Sequence, residues 1–301
     1  MGEDAEGGIR HVDVSDDLAA AMVRDQHPDL GDLDIGRRYL FEDHVTIRLG
    51  DNLCLYLPTV PGPGEAMESS AEWLDLVIEE WSFPAGVPVR MGKPCCGYPF
   101  KWEIANWIAG SNAAVLPLSR EAAAPLGQAL RQVHTSAPEW APLASEAGTP
   151  LPRFRKTWHE LTAKLRDSVG PLGSQIDPSV LVPRWEKAVD AVVDIPSRWV
   201  HGNLDPRYVV SDQGGFAGIG SWWTFGSGDP AADLAAAFLL IPRQAESLLL
   251  ETYGQISRAT WDRVSGYWLL RALRYATSSN PFLWRLGWAR LEELIRLGDI
   301  E

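Results

Sequence analysis

Trp199-Val-His201-Gly202-Asn203-Leu204-Asp205-Pro206-Arg207-Tyr208-Val-Val210 is followed by Gly218-Ile-Gly-Ser221-Trp222 and then by Gly228-Asp229-Pro230-Ala-Ala-Asp233-Leu234-Ala235. Strand-forming residues stand at both ends of a polar loop, and Asp212-Gln-Gly-Gly215 marks a second turn, so 199–222 reads as short strands joined by turns. Asp229 followed by Pro230 is a helix start, with an acceptor at the cap and a proline at the first helical position. Structural work is therefore the expected role of Asp229, and Asp233 shares it. His201, Asn203, Asp205 and Tyr208 fall on or beside one loop.

Outward from this stretch the chain changes character. Ser15-Asp16-Asp17 caps a first helix running to about Gln26, and short strands follow between 34 and 58, interrupted by Pro58, Pro61 and Pro63. A helix around 64–82 carries Met67, Leu74, Leu76, Val77 and Trp81 at three- and four-residue spacing. Strands are expected near 88–93 and 99–107. From Ser119 onward helices dominate, over 119–134, 152–169, 178–192, 229–242, 244–253, 258–278 and 281–297. The fold class is α+β, with a strand-rich part over 1–108 and a helical part over 109–301 that carries the segment 199–235. Gly110 and Ser111 mark the hinge.

The order and spacing of the three motifs resemble the aminoglycoside phosphotransferase family of kinase-like small-molecule enzymes. That family's signature reads His-Gly-Asp-Leu-His-Pro-Gly-Asn, then Ile-Asp-Trp or Ile-Asp-Phe, then Gly-Asp-Pro-x-x-Asp-Leu-Ala. The resemblance implies a two-lobed kinase-like fold, a small antiparallel sheet with one crossing helix beside a mostly helical lobe. It also implies what has been replaced. In kinase-type phosphoryl transfer a catalytic-loop Asp takes the substrate proton, an Asn five residues on holds magnesium, and a later Asp holds the metals that bridge the phosphates. Those positions are Asn203, Tyr208 and Ser221 here. An amide takes no proton near neutral pH, and neither a phenol nor a serine hydroxyl supplies the anionic oxygen that magnesium demands.

The amino-terminal half resembles the same family at Leu40-Phe41-Glu42-Asp43-His44-Val45-Thr46-Ile47-Arg48-Leu49-Gly50-Asp51, where the family carries a glycine-rich nucleotide loop. Glycines let backbone amides approach phosphates, and Leu40, Phe41 and Glu42 block and repel that approach. On the next strand Tyr56 stands where the family has a phosphate-pairing Lys or Arg, and the helical Glu partner maps near Glu68 or Ser70. Five nucleotide-handling elements are thus altered. Gly97–Gly110 resembles the last small-lobe strand and hinge.

Bulk properties bound the alternatives. The chain has 301 residues, 46% of them hydrophobic, which is ample for a core, and no apolar run of bilayer-spanning length. A formal charge of −13 argues against a nucleic-acid partner, because phosphate backbones demand a basic face. The acidic, glycine-containing start lacks a signal peptide's basic and then apolar pattern, so a cytoplasmic protein is expected. Cys54, Cys95 and Cys96 follow neither a disulfide framework nor a zinc spacing and read as reduced packing thiols. Of the 14 tryptophans, Trp73, Trp81, Trp185 and Trp268 read as core.

The expectation that follows is a metal-free and cofactor-free small-molecule enzyme on a phosphotransferase-like frame, no longer an active kinase. It would perform lyase- or cyclase-type acid–base chemistry, an elimination, addition or cyclisation as in natural-product biosynthesis. Asp205 replaces a family residue that points at the transferred group, and it is the candidate base, with a solvated loop Asp as the alternative. Tyr208 either donates to a developing oxyanion or fills the volume that metal and Asn vacated. Asn203 is a polarising donor, and His201 is carried with the catalytic set or braces the loop. Ser221, Trp222, Trp223, Tyr56, Trp102 and Trp107 are candidate substrate contacts, the tryptophans as aromatic walls. A non-catalytic pseudokinase that binds a metabolite or partner protein, and a residual phosphotransferase, are the alternatives.

Overall fold

A computed structural model of the chain describes residues 11–297, so the acidic start of the sequence lies outside the described residues. The chain divides into two compact units. One holds the described residues up to Glu79 together with Pro84–Ile108 and Ile219–Thr224; the other holds Glu80–Phe83, Ala109–Gly218 and everything described from Phe225 on.

In the first unit, helix α1 (Asp16–Gln26) starts where the Ser15 hydroxyl accepts from the Leu18 amide at 3.1 Å. Strands β1 (Ile35–Leu40), β2 (His44–Leu49) and β3 (Leu53–Pro58) form an antiparallel meander. Helix α2 (Pro63–Leu74) and strands β4 (Ala85–Gly86), β5 (Pro88–Gly92) and β6 (Trp102–Asn106) follow, and the five-stranded sheet has the order β1-β2-β3-β6-β5. Strand alternation sorts the side chains. Val45, Ile47, Leu49, Leu55, Leu57, Trp102 and Ile104 share one face and pack with Ala19, Met22 and Val23 of α1. The opposite face carries His44, Thr46, Cys54, Tyr56 and Glu103. The helix expected over 64–82 ends at Leu74, and a separate 3-10 turn covers Ile78–Glu80.

In the second unit, β7 (Ser111–Asn112) pairs with β9 (Val209–Asp212), and β8 (Arg198–Val200) pairs with β11 (Gly226–Gly228). β10 (Gly215–Gly220) returns from β9 through a turn in which Gln213 (φ 51°) and Gly214 (φ 89°) are both left-handed, the backbone of a type I′ hairpin. The end of β10 runs into the first unit, where Ile219 and Gly220 pair in parallel with β4. Helices α3 (Ala123–Val133), α4 (Arg155–Arg166), α5 (Val182–Val189), α6 (Ala231–Leu240), α7 (Glu246–Tyr253), α8 (Arg258–Ala276) and α9 (Pro281–Leu297) complete the unit. Every residue of α6 is buried, which makes it the central helix, and α8 packs against α6, α5 and α9. Short 3-10 turns precede α3, α4 and α5, which is why these helices are shorter than their hydrophobic periods suggest. Trp185 and Trp268 are core as expected, whereas Trp73 and Trp81 are only half-buried. Among the described residues no helix is long and apolar enough to cross a membrane.

Candidate functional site

The loop after β8 is held from beneath by α6. Asp233, fully buried in the first turn of that helix, accepts from the His201 amide at 2.6 Å and the Gly202 amide at 3.2 Å. His134 lies 3.3 Å from the same carboxylate and 2.9 Å from the Tyr253 hydroxyl. Burial alone would raise the Asp233 pKa, yet the hydrogen bond and charge of His134, together with His201, hold it below the usual range. Asp229 stands just ahead of α6, its carboxylate accepting from the Ala231 amide at 3.0 Å, and is ion-paired to Arg263 at 2.6 Å. Both aspartates of the third motif thus do structural work.

Asp205 does not stand free as a base. It is 2% exposed. Its carboxylate accepts from Arg207 Nε at 2.7 Å, the Arg207 amide at 3.0 Å and the Tyr275 hydroxyl at 3.0 Å. Burial works against the Arg207 charge, but Asp205 more than offsets it and holds the guanidinium protonated. Tyr275 is kept neutral by burial and by the Asp205 charge, so it remains a donor. Both oxygens of the Asp205 carboxylate are thus engaged by donors, one of them cationic. Asn203 is half-buried, and its side-chain oxygen lies 3.3 Å from Arg271 of α8, which also donates to the Leu204 carbonyl at 2.7 Å. Glu146 balances that buried cation from 3.7 Å and is also paired with Arg274. Tyr208 is half-buried, with the Arg207 guanidinium 5.6 Å from its ring centre.

Sequence reasoning missed Arg271, Tyr275, Arg274 and Glu146. The signal available was a lone arginine inside the apolar run Trp268-Leu-Leu-Arg-Ala-Leu, with Tyr275 four residues on and so on the same helix face.

The remaining candidates belong to the first unit. Ser221 is 5% exposed and left-handed (φ 60°), a conformation that costs a non-glycine residue about 1 kcal/mol or more. Trp222 is 1% exposed and donates its indole N–H to the Ile219 carbonyl at 3.0 Å. Trp102 is a correction: it lies in the sheet core, flat over Gly92, where a Cβ would meet the indole at 2.0 Å, and it donates to the Lys93 carbonyl. It is no pocket wall. Trp107 stacks with Tyr39 at 5.6 Å and lies under Arg48 at 4.9 Å.

Tyr56 and Trp223 are brought together, their rings edge-to-face at 5.7 Å. Trp223 also meets His44 edge-on at 4.5 Å, and His44 stacks with Phe41 at 4.2 Å and 9°. The β1–β2 turn therefore closes on its own sheet through four aromatic rings, and its Phe41 amide is spent on the His44 carbonyl at 3.0 Å. Glu68 is ion-paired to Lys101, and Ser70 donates to the Ala66 carbonyl, so both have local partners on or next to α2 and β6. Taken one by one within their own units, these positions do not fit magnesium or phosphate. They offer an amide beside a buried arginine, a phenol and a hydroxyl, with aromatic rings in place of glycine amides.

A family model described as the phosphotransferase enzyme family matches residues 46–267. Solved structures with the same fold include aminoglycoside 2'-phosphotransferase-IIIa in complex with GDP (16% identity, 93% of this chain and 98% of that one, TM-score 0.62). Macrolide 2'-phosphotransferase from Brachybacterium faecium aligns at 18% identity over 93% and 94%, TM-score 0.58. An aminoglycoside phosphotransferase from Streptomyces rimosus aligns at 20% over 85% and 98%, TM-score 0.56. Among curated proteins no match is found.

Proposed function

Since the chain belongs to the phosphotransferase enzyme family, we propose that it is a member which keeps the frame and has given up magnesium–nucleotide chemistry, serving as a small-molecule binding protein of the pseudokinase kind. The observation that carries this reading is the lock on the loop. Arg271 stands 3.3 Å from the Asn203 oxygen, where the family needs a base and its metals need anions, and Arg207 and Tyr275 occupy Asp205. Asn203 brings no negative charge to that position, and Glu146, the carboxylate that balances Arg271, is shared with Arg274, which leaves a divalent cation without the anion it needs there. The aromatic closure of the β1–β2 turn supports the same reading, because no glycine amide is offered to phosphate.

The lyase- or cyclase-type enzyme built on Asp205 has less support, since its base is already paired. Residual phosphoryl transfer is the outcome against which the proposal is tested. Melting the purified chain with millimolar Mg-ATP or Mg-GTP should leave the midpoint unmoved, because a ligand that does not bind the native state cannot stabilise it. A saturable shift of several degrees, or transfer of the terminal phosphoryl group to an aminoglycoside or macrolide, would overturn it.

A further inference from the structure

The Cys95-Cys96 pair lies far in the sequence from the family's motifs. It forms the head of a tight hairpin in the first unit. The Cys95 amide donates to the Tyr98 carbonyl at 3.1 Å, and the Tyr98 amide donates back at 2.8 Å. Between them Cys96 (φ 54°) and Gly97 (φ 85°) are both left-handed. Such a turn favours Asn or Asp before the glycine, and a cysteine there carries a steric cost of roughly 1–2 kcal/mol. In extended chain two adjacent side chains point to opposite faces. The left-handed step instead turns Cys96 toward its neighbour.

The end of α1 supplies a third group. Gln26 accepts from the Lys93 amide and donates to the Lys93 carbonyl, both at 2.8 Å, which ties the helix end to the segment leading into the hairpin. Asp25 is thereby set beside the thiols. One ligand atom each from Asp25, Cys95 and Cys96 lies within 4.8 Å of the other two. Tyr98 fixes the other side of the turn, 1% exposed and donating to the Pro58 carbonyl at 2.6 Å.

We propose that Asp25, Cys95 and Cys96 form a three-ligand site for a thiophilic divalent cation, zinc by its chemistry. Zinc takes thiolate sulfur at about 2.3 Å and carboxylate oxygen at about 2.1 Å in a tetrahedron. Ligand atoms already so close need only side-chain torsions to contract onto it. Two thiolates and one carboxylate suit zinc over magnesium or calcium, which prefer oxygen alone. Cys96 and Asp25 are exposed and Cys95 half-buried, so the fourth position faces solvent and takes water. The bound ion would join the end of α1 to the hairpin beyond β5, and the site is independent of the function proposed above.

The test is titration of the full chain, under a phosphine reductant, with cobalt(II) or cadmium(II), following the thiolate-to-metal charge-transfer band. One equivalent should saturate the band. C95S and C96S should each abolish it, and D25N should weaken binding about tenfold or more. C54S should leave it unchanged, because Cys54 is 1% exposed within the sheet. Each variant is melted without metal to show that it folds. Absence of the band at millimolar metal, its survival in C95S or C96S, or D25N binding as tightly as the parent would overturn the site.

Discussion

Asp205 and Asp233 are carboxylates of one short stretch with separate duties, set by what each is given to bind. Asp233 satisfies two buried backbone amides at once, so D233N leaves one of them without an acceptor and His134 without its anion. We expect a loss of about 2–4 kcal/mol in denaturant unfolding. Asp205 is held by a guanidinium, an amide and a phenol. D205N should therefore lower stability by about 1–3 kcal/mol. A true catalytic base is the opposite case, since strained functional carboxylates are commonly neutral or stabilising to remove. An unchanged or raised denaturation midpoint for D205N would return it to the catalytic set. Asn203 adds a third case: N203D restores one carboxylate beside Arg271 but leaves Tyr208 and Ser221 in place of metal ligands, so the variant should show no phosphoryl transfer in a coupled nucleotide assay.

Elements meet here through small residues as much as through large ones. On α9, a Cβ at Gly287 would lie 2.2 Å from the Ala276 amide nitrogen and 2.7 Å from the Ala272 carbonyl of α8. The two helices thus touch backbone to backbone. Alanine is the better helix former by about 1 kcal/mol, yet G287A must push α9 off α8, and a net loss of about 1–3 kcal/mol is expected in thermal or urea unfolding. A gain in stability would mean that the two helices part more easily than their contact suggests. Gly266 on α8 stands in the same relation to Ala188 of α5, where a Cβ would come within 2.6 Å. The sheet element of the first unit is fixed differently, by an apolar face against α1 and an aromatic closure on the other face.

At the scale of the molecule, the pH profile sums groups of opposite sign. Ser257, with Arg263 behind it, holds Asp194 at about 2, and Asp233 is also depressed; their stabilisation is present above the unfolded pKa near 4 and is lost as pH falls below it. Glu103 runs the other way. Burial on β6 pushes its carboxyl up to about 8, against roughly 4.3 when unfolded, so the native chain keeps a proton that the unfolded chain releases. Its contribution is fully present below about 4.3 and falls as pH rises toward 8. E103Q should accordingly melt higher than the parent at pH 8, by an amount on the order of 2–4 kcal/mol, with the advantage vanishing near pH 4. Parallel melting curves at both pH values would sink this assignment. The sequence by itself determined the α+β class, the run of helices and the loop carrying Asn203, Asp205 and Tyr208, because caps, periodicity and motif spacing are local along the chain. Only the tertiary structure decided what those side chains do. Arg271 and Tyr275 reach the loop from 68 and 70 residues downstream, and Trp102 turned inward because Gly92 on the neighbouring strand left room for an indole. Charge and volume are settled by neighbours in space, and one-dimensional spacing holds no record of them.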